Sequence, residues 1–249
     1  MNWRVLFIII FLIGIFYGRP ITVNLDESML PPFQSLSAPI GTDKLGRNLL
    51  SLFSYGILTA ALVAIPSRII TIFFAAILSF LGFSTSVYIR KIIDIFSNVF
   101  ISLPSLLVSL VVIASLGKNF MTFLFAIMIT DWALAYEIII ARLVTIESSG
   151  FVNSSKRMGA TSSFVIKRHL IPEIKETLKI LIETGMPSVI MTIAIFSYFG
   201  LDFGTEFFGP GLGEQISFSR DYVFQAPLTI ISPMLGIFLL LNFFSRKKI

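Results

Sequence analysis

Four ionisable side chains lie within or at the edges of long apolar stretches: Arg68, Asp131, Glu137 and Glu183. A charge at the centre of a bilayer costs about 2.5–3.5 kcal/mol on insertion scales, so such residues usually serve a function or pair with one another. Arg68 and Asp131 are the deeper two and are our candidates for residues that border a translocation path. Glu137 and Glu183 lie near predicted helix ends, where we expect structural roles. The alternative for all four is an ion-pair network that fixes helix packing.

Other chemistry-bearing residue types are scarce. The chain has no cysteine and a single histidine, His169, which excludes a thiolate centre and argues against a metal site built from histidines. It contains no G-x-x-x-x-G-K-[ST] phosphate-binding loop, and the glycines of 209–213 have the wrong spacing for a dinucleotide loop. No pattern supports a serine or cysteine nucleophile. The sequence therefore predicts neither enzymatic activity nor a cofactor or metal, and we expect His169 to pack within its own loop.

The composition is that of an integral membrane protein. Of 249 residues, 55% are hydrophobic and 13% are charged, and the mean hydropathy is +0.90, whereas soluble domains contain about 25% charged residues. We divide the chain into a first transmembrane helix (1–18), an outer loop (19–56) and a core of five helices (57–249). The predicted membrane segments are 3–17, 57–83, a third that follows Lys91 and ends at Leu116, 120–140, 178–200 and 228–244. Pro104 is expected to kink the third segment, and Pro187 the fifth.

The distribution of basic residues sets the predicted topology. With both termini in the cytoplasm, most of the 19 Lys and Arg residues fall on the cytoplasmic side, as the positive-inside rule requires. This bias explains the net charge of +5 without a nucleic-acid partner. It also places residues 142–177 in the cytoplasm and residues 202–227, which are rich in glycine and aromatic residues, outside.

A polar, basic segment separates the fourth and fifth apolar segments. Residues 151–172, called the basic segment below, read FVNSSKRMGATSSFVIKRHLIP. We predict a short helix, a turn at Gly159 and a second short helix. Gly159 can adopt a positive φ and end the first helix, residues 161–163 supply candidate N-caps for the second, and Pro172 can begin the next helix. Such a segment can dock on a partner protein or bind anionic lipid at the membrane surface.

The basic segment resembles the cytoplasmic coupling loop of ABC importer permeases, whose pattern is EAA, three residues, Gly, nine residues and I-x-L-P. Gly159 stands at the glycine, and residues 169–172 are close to the R-H-x-L-P ending of the peptide/nickel group. The EAA triplet falls on 153–155 and is degenerate. Within a coupling loop of 142–177, the resemblance implies that the residues coupled to the ATPase are Asn153, Ser154, Ser155, Met158, Gly159, Ala160, Thr161, His169 and Pro172.

The predicted outer loop carries a second motif. Residues 41–48, GTDKLGRN, resemble the G-T-D-x-L-G-R-D signature of one permease of peptide and nickel importers, with Asn48 in place of the last Asp. A turn with Asp43 as a cap before a helix is the structural interpretation, and both can hold together. The matched residues are Gly41, Thr42, Asp43, Leu45, Gly46 and Arg47.

On these two motifs the chain is identified as a member of the peptide/nickel importer permeases. The resemblance implies an all-α membrane protein with six transmembrane helices and the type I ABC importer permease fold. It implies a second homologous permease, two ATPase subunits that hydrolyse ATP, and an extracytoplasmic binding protein. It also implies a place in the plasma membrane of a prokaryote. Peptides, nickel or metal chelates would cross by alternating access.

The alternative function is that of a stand-alone secondary transporter or channel. Proton coupling would then use Asp131, Glu137 or Glu183. Secondary transporters usually contain internal repeats, and no clear repeat relates the two halves of this sequence.

Overall fold

The computed structural model describes residues 3–84 and 86–245. Within these ranges the regular structure is helical, and the only extended pairings are two isolated bridges. A π turn at Ile166–Leu170 joins α7 to α8, and 3₁₀ turns occur at Leu25–Glu27 and Arg220–Tyr222. The helices are α1 (Trp3–Phe16), α2 (Leu49–Ser84), α3 (Val87–Ser102), α4 (Ser105–Leu116), α5 (Phe120–Glu147), α6 (Gly150–Arg157), α7 (Ser162–Val165), α8 (Ile171–Tyr198), α9 (Thr205–Phe208), α10 (Leu212–Ser219) and α11 (Leu228–Phe244).

In the part of the chain that the structure describes, three helical runs are long and apolar enough to cross a membrane: Leu49–Ser84, Phe120–Glu147 and Ser162–Tyr198. The pair α3 and α4 is bent by 94° and supplies a fourth if it counts as one broken span. The helices α1 and α11 are apolar but shorter. Each of the six predicted segments therefore corresponds to an apolar helix or helix pair, and the predicted all-α membrane fold is confirmed.

Proline and polar caps move several boundaries away from the predicted ones. Helix α2 begins at Leu49, well before residue 57, because Asn48 Oδ1 accepts hydrogen bonds from the backbone N–H of Leu50 (2.8 Å) and Ser51 (3.4 Å). Asp43 caps the turn that precedes this helix, as predicted, and Asn48 caps the helix itself. Pro104 separates two helices instead of kinking one, since Leu103 adopts the extended conformation favoured before proline (φ −88°, ψ 138°).

The described residues form two compact units. The first falls within 1–66, 113–123 and 186–249. In this unit Gly56 lets α10 approach α2 closely, against the side chains of Leu212 and Gln215. Gln215 is buried, and its Nε2 donates to the backbone oxygens of Leu52 (2.8 Å) and Pro210 (2.9 Å). A buried amide between apolar helices needs such partners, because water is absent there.

The second unit falls within 67–112 and 124–185. Its core is one cluster of buried apolar side chains from α2, α5, α6, α7, the π turn and α8. Trp132 lies within this cluster, and the rings of Phe74 and Phe100 meet it edge-on at centroid distances of 5.9 and 5.7 Å. The basic segment is part of this unit and shares its core.

Candidate functional site

The basic segment contains the predicted helix, glycine turn and capped second helix. Gly159 has φ +90° and ends α6 in a Schellman motif, in which Ala160 N–H donates to Ser155 O and Gly159 N–H to Lys156 O, both at 3.0 Å. Thr161 is the N-cap of α7, and its Oγ1 accepts from the Phe164 N–H at 3.3 Å. The glycine spacing and the hydroxyl cap in the sequence were thus sufficient to predict this turn.

The second helix is not short, however. Helix α7 continues through the π turn into α8, so Ser162–Tyr198 is a single helical run. Pro172 lies inside that run, and the prediction that it begins a new helix is wrong. Proline cannot donate to the carbonyl four residues earlier, at Arg168, and its ring crowds that carbonyl. The wider π turn directly before Pro172 accommodates both effects.

The basic segment is anchored through its inner face. Val152 and Leu170 are fully buried and belong to the same core cluster as Leu143 and Ile146 of α5. Its helical pieces are therefore packed onto the long helices that follow and precede them, and any force applied to the segment acts directly on α5 and α8.

His169 packs within the segment. Its Nε2 lies 3.0 Å from the Ser155 hydroxyl, and its ring lies between the rings of Phe151 (5.5 Å) and Phe164 (6.0 Å). This environment agrees with the expected packing role. It also brings together residues from the two sides of the glycine turn, so it ties α6 to the start of the next helix.

The outer face of the segment combines apolar and basic side chains. Met158 is 81% exposed, Phe151 49% and Phe164 51%, and the lysines and arginines of the same segment are exposed as well. A cluster of large exposed apolar side chains on a soluble surface usually marks an interaction site. Of the predicted contact residues, Asn153, Ser154, Met158, Gly159, Thr161 and Pro172 are exposed, and Ser155, Ala160 and His169 are half-buried.

Arg68 and Asp131, the two predicted path residues, lie together in the second unit. The Arg68 Nη1 is 3.6 Å from Asp131 Oδ2, and its Nε and Nη2 donate to the Leu181 carbonyl at 3.1 and 2.6 Å. Arg68 is buried, whereas Asp131 keeps 26% of its side chain exposed. Gly185 makes room for the guanidinium, because a Cβ there would overlap it. Arg68 thus joins α2, α5 and α8.

The other two intramembrane carboxylates lie on the same two helices, α5 and α8. Glu137 is half-buried on α5. Glu183 forms an (i, i+4) pair with Lys179 on α8, at 3.9 Å. Leu181 and Gly185 were missed by sequence reasoning. A backbone carbonyl has no signature in the sequence, and the only available signal was a glycine inside an apolar helix.

The outer motif folds back on itself around a buried carboxylate. Asp43 is 3% exposed, and its Oδ1 accepts from the backbone N–H of Leu45 (2.9 Å) and Arg47 (2.8 Å). Its Oδ2 is paired with Arg47 through Nε (2.7 Å) and Nη2 (2.6 Å). Two charge-assisted contacts to this one oxygen hold the Arg47 side chain against Asp43. Asp43 therefore closes a five-residue turn.

The remaining motif residues attach this turn to the preceding loop. Gly41 and Gly46 have positive φ angles of +93° and +70°, and a Cβ on them would overlap the backbone oxygens of Leu30 and Asn24, respectively. Thr42 Oγ1 accepts from the Leu30 N–H at 2.8 Å and donates to the Glu27 carbonyl. Leu45 is half-buried beside them. The motif residues thus fix the conformation of this loop through backbone contacts and side-chain hydrogen bonds.

A second buried carboxylate, missed by sequence reasoning, lies after α8. Asp202 Oδ2 accepts from the Ser197 hydroxyl and the Gly211 N–H, both at 2.9 Å, and its Oδ1 accepts from the Phe203 N–H at 3.0 Å. Burial raises the pKa of Asp202, and these hydrogen bonds oppose that shift. The Ser197 Oγ also accepts from the Glu214 N–H at 3.0 Å. This network ties α10 to the end of α8.

The comparison with known families decides the identification. Residues 72–249 match the family described as the binding-protein-dependent transport system inner membrane component. The chain belongs to this family. It is an inner membrane component with several apolar helices, which confirms the family, the fold class and the membrane location predicted above.

Individual relatives of this family member are permease proteins. The chain is 23% identical over 233 residues to the dipeptide transport system permease protein DppC of Alkalihalophilus pseudofirmus, covering 92% of this chain and 75% of that protein. It is 28% identical over 184 residues to the oligopeptide transport system permease protein OppC of Bacillus subtilis, covering 72% and 58%, respectively. For the metal-staphylopine import system permease protein CntC of Staphylococcus aureus, the identity is 25%, covering 83% and 71%. The matched part thus spans between about a half and three quarters of these relatives.

The fold also matches a solved transporter. A chain of the MetNI methionine ABC transporter, in an inward-facing conformation, superimposes with a TM-score of 0.58, covering 80% of this chain and 98% of that one. At 14% identity this likeness concerns the fold alone.

Proposed function

We propose that this family member is the permease subunit of an ATP-driven importer for short peptides or metal-chelate complexes. The relatives that are permeases of dipeptide, oligopeptide and metal-staphylopine transport systems support this substrate range. Substrate would cross by alternating access, with ATP hydrolysis in partner subunits. A stand-alone secondary transporter or channel is not favoured, since the relatives are subunits of transport systems.

The observation that carries the proposal is the two-faced basic segment. Its inner face shares the buried core of α5 and α8, while Phe151, Met158 and Phe164 remain exposed among basic side chains. An ATPase subunit that binds the exposed face of the basic segment would move α5 and α8 with it as a rigid body. The contact residues implied by the resemblance are 153–155, 158–161, His169 and Pro172, and all of them are exposed or half-buried.

The proposed assembly follows from the same role. A second, homologous permease would complete the path, two ATPase subunits would bind the basic segments, and an extracytoplasmic binding protein would deliver the substrate. The excess of Lys and Arg at the termini and in 142–177 favours an orientation with both termini cytoplasmic. The loop 19–48 would then face outward, and the five-helix core would begin with α2 at Leu49.

The experiment substitutes Met158, because its side chain is 81% exposed and its loss should leave the fold intact. Burial of such a side chain contributes about 1.5–3 kcal/mol. Met158→Asp should therefore weaken co-purification of the ATPase subunits by about tenfold or more and lower peptide uptake per ATP hydrolysed in proteoliposomes.

The matched control is Leu36→Asp, because Leu36 is 94% exposed in the outer loop. This variant should keep wild-type co-purification of the ATPases. Wild-type co-purification and coupling in the Met158 variant would exclude the basic segment as the docking surface.

A further inference from the structure

A cavity of about 300 Å³ opens in the first unit, at the predicted outer side. Three pieces of chain surround it. Helix α10 and the following 3₁₀ turn contribute Glu214, Phe218 and Tyr222, the end of α8 contributes Tyr198, and the outer motif contributes Lys44. Lys44 is the residue at the variable position of that motif. The volume lies at the lower end of the range for small-molecule pockets.

The cavity carries charges of both signs beside aromatic rings. Glu214 is half-buried, and among residues 3–84 and 86–245 no ion pair within 4.0 Å involves it. Its carboxylate has one weak side-chain contact, with Thr205 Oγ1 at 3.5 Å. Burial and the nearby charge of Asp202 raise the pKa of Glu214. A partly desolvated carboxylate of this kind gains from a cationic ligand. Lys44 supplies the opposite charge, whereas Asp221, the other carboxylate in the lining, lies 3.4 Å from Arg220 Nε.

The backbone that carries these charged groups is fixed. The N–H of Glu214 is held by Ser197 Oγ, which is itself bonded to Asp202. The carbonyl of Lys44 accepts from Ser28 Oγ at 2.8 Å, and the adjoining turn is closed by Asp43.

One further contact ties the motif to the cavity wall. The Arg47 guanidinium lies 5.8 Å from the centroid of the Phe218 ring, within the range of a cation–π contact. The outer motif and α10 thus form two walls with a defined spacing, and fixed walls of this kind reduce the entropic cost of binding a small ligand.

We infer that this cavity binds a short peptide by its two ends. The ammonium terminus meets Glu214, the carboxylate terminus faces Lys44, and an apolar side chain lies against Phe218 and Tyr222. This inference rests on the proposed function for its biological meaning. It gives the outer motif a role: the motif builds one wall of a receiving site on the outer face.

The test measures binding of alanyl-phenylalanine to the full-length chain in lipid nanodiscs by isothermal titration calorimetry. Acetylation of the peptide's amino terminus removes the charge that meets Glu214. It should weaken binding by about tenfold or more, which corresponds to about 1.4 kcal/mol. Glu214→Gln should weaken binding of the free peptide by a similar factor and abolish the discrimination against the acetylated form. Amidation of the carboxyl terminus should weaken binding through Lys44.

The matched control is Glu206→Gln, which removes one carboxylate from the same outer region but outside the cavity lining. It should bind as the wild type does. Equal affinity for the free and acetylated peptides, equal affinity of the Glu214 and Glu206 variants, or no binding at all would each overturn the inference. The comparison of peptides on the unaltered chain needs no variant to fold. None of these results affects the docking role, which the Met158 variant tests separately.

Discussion

The contact between Arg68 and Gly185 makes a sharp prediction about stability. In the second unit the guanidinium lies where a Cβ of residue 185 would be, while it binds the Leu181 carbonyl and Asp131. Gly185→Ala adds that one carbon. The arginine side chain is flexible and can move aside, so the cost is not a rigid clash. The loss of stability arises because the displaced guanidinium can no longer reach the Leu181 carbonyl and Asp131.

The magnitude follows from two opposing effects. Removing one partner from a buried ion pair costs about 3–5 kcal/mol, because a charge is left uncompensated. Alanine in a helix interior is better than glycine by about 1 kcal/mol. Gly185→Ala should therefore destabilise the protein by about 2–4 kcal/mol. Gly150→Ala is the control, since a Cβ at Gly150 meets nothing within 4 Å and the residue is helical. It should change stability by less than about 1 kcal/mol.

The assay is unfolding by SDS titration in mixed micelles, followed by the fluorescence of Trp132. The chain has two tryptophans, so a Trp3→Phe background leaves Trp132 as the single reporter, within the core of the second unit. The decisive comparison is a double-mutant cycle. In an Arg68→Ala background the space beside residue 185 is free, and Gly185→Ala should be neutral or stabilising. An equal loss of stability in both backgrounds would refute the idea that Gly185 exists to accommodate Arg68.

Two further predictions concern the predicted outer side. Asn48→Ala removes the cap of α2 and should cost about 1 kcal/mol of unfolding free energy, whereas Asn48→Asp should retain most of the stability; equal losses in SDS titration would contradict the capping role. Because burial and Asp202 raise the pKa of Glu214, while Arg47 and Lys118 lower it, Glu214 should become neutral at a higher pH than the ordinary value of about 4.3. The affinity for alanyl-phenylalanine should therefore fall as the pH is lowered through that raised pKa, and calorimetry on Glu214→Gln should show no such fall.

Much of the fold was predictable because it depends on local sequence. Hydropathy located all six apolar segments, and the spacing of Gly159 and Thr161 predicted a positive φ and a helix cap that the structure contains. The helix ends were less predictable. Asn48 caps α2, whose first residue, Leu49, lies eight residues before the predicted start of the apolar segment, and Pro104 separates α3 from α4. In both places a single side chain sets the helix boundary, whatever the apolar pattern around it.

The buried contacts were not predictable for a different reason. The Arg68 guanidinium binds a carbonyl 113 positions away along the chain, and every residue has a carbonyl. Asp202 likewise accepts a hydrogen bond from the Gly211 N–H, and a backbone N–H does not depend on the residue type. The sequence does identify one member of each such contact, namely a charged residue in an apolar stretch that needs a partner. It shows that a partner exists but not which one.

The glycines show the same difference between features that the local sequence predicts and features that depend on distant contacts. Gly41, Gly46 and Gly159 have positive φ angles, and their neighbours in the sequence, turn residues and helix caps, reveal that need. Gly56 and Gly185 have ordinary helical backbones and are required because another element lies against them. In a membrane, close approach of this kind replaces much of the hydrophobic effect in holding helices together. The glycines that matter most for packing are therefore those with the weakest local signature, and only substitutions such as Gly185→Ala can separate the two classes.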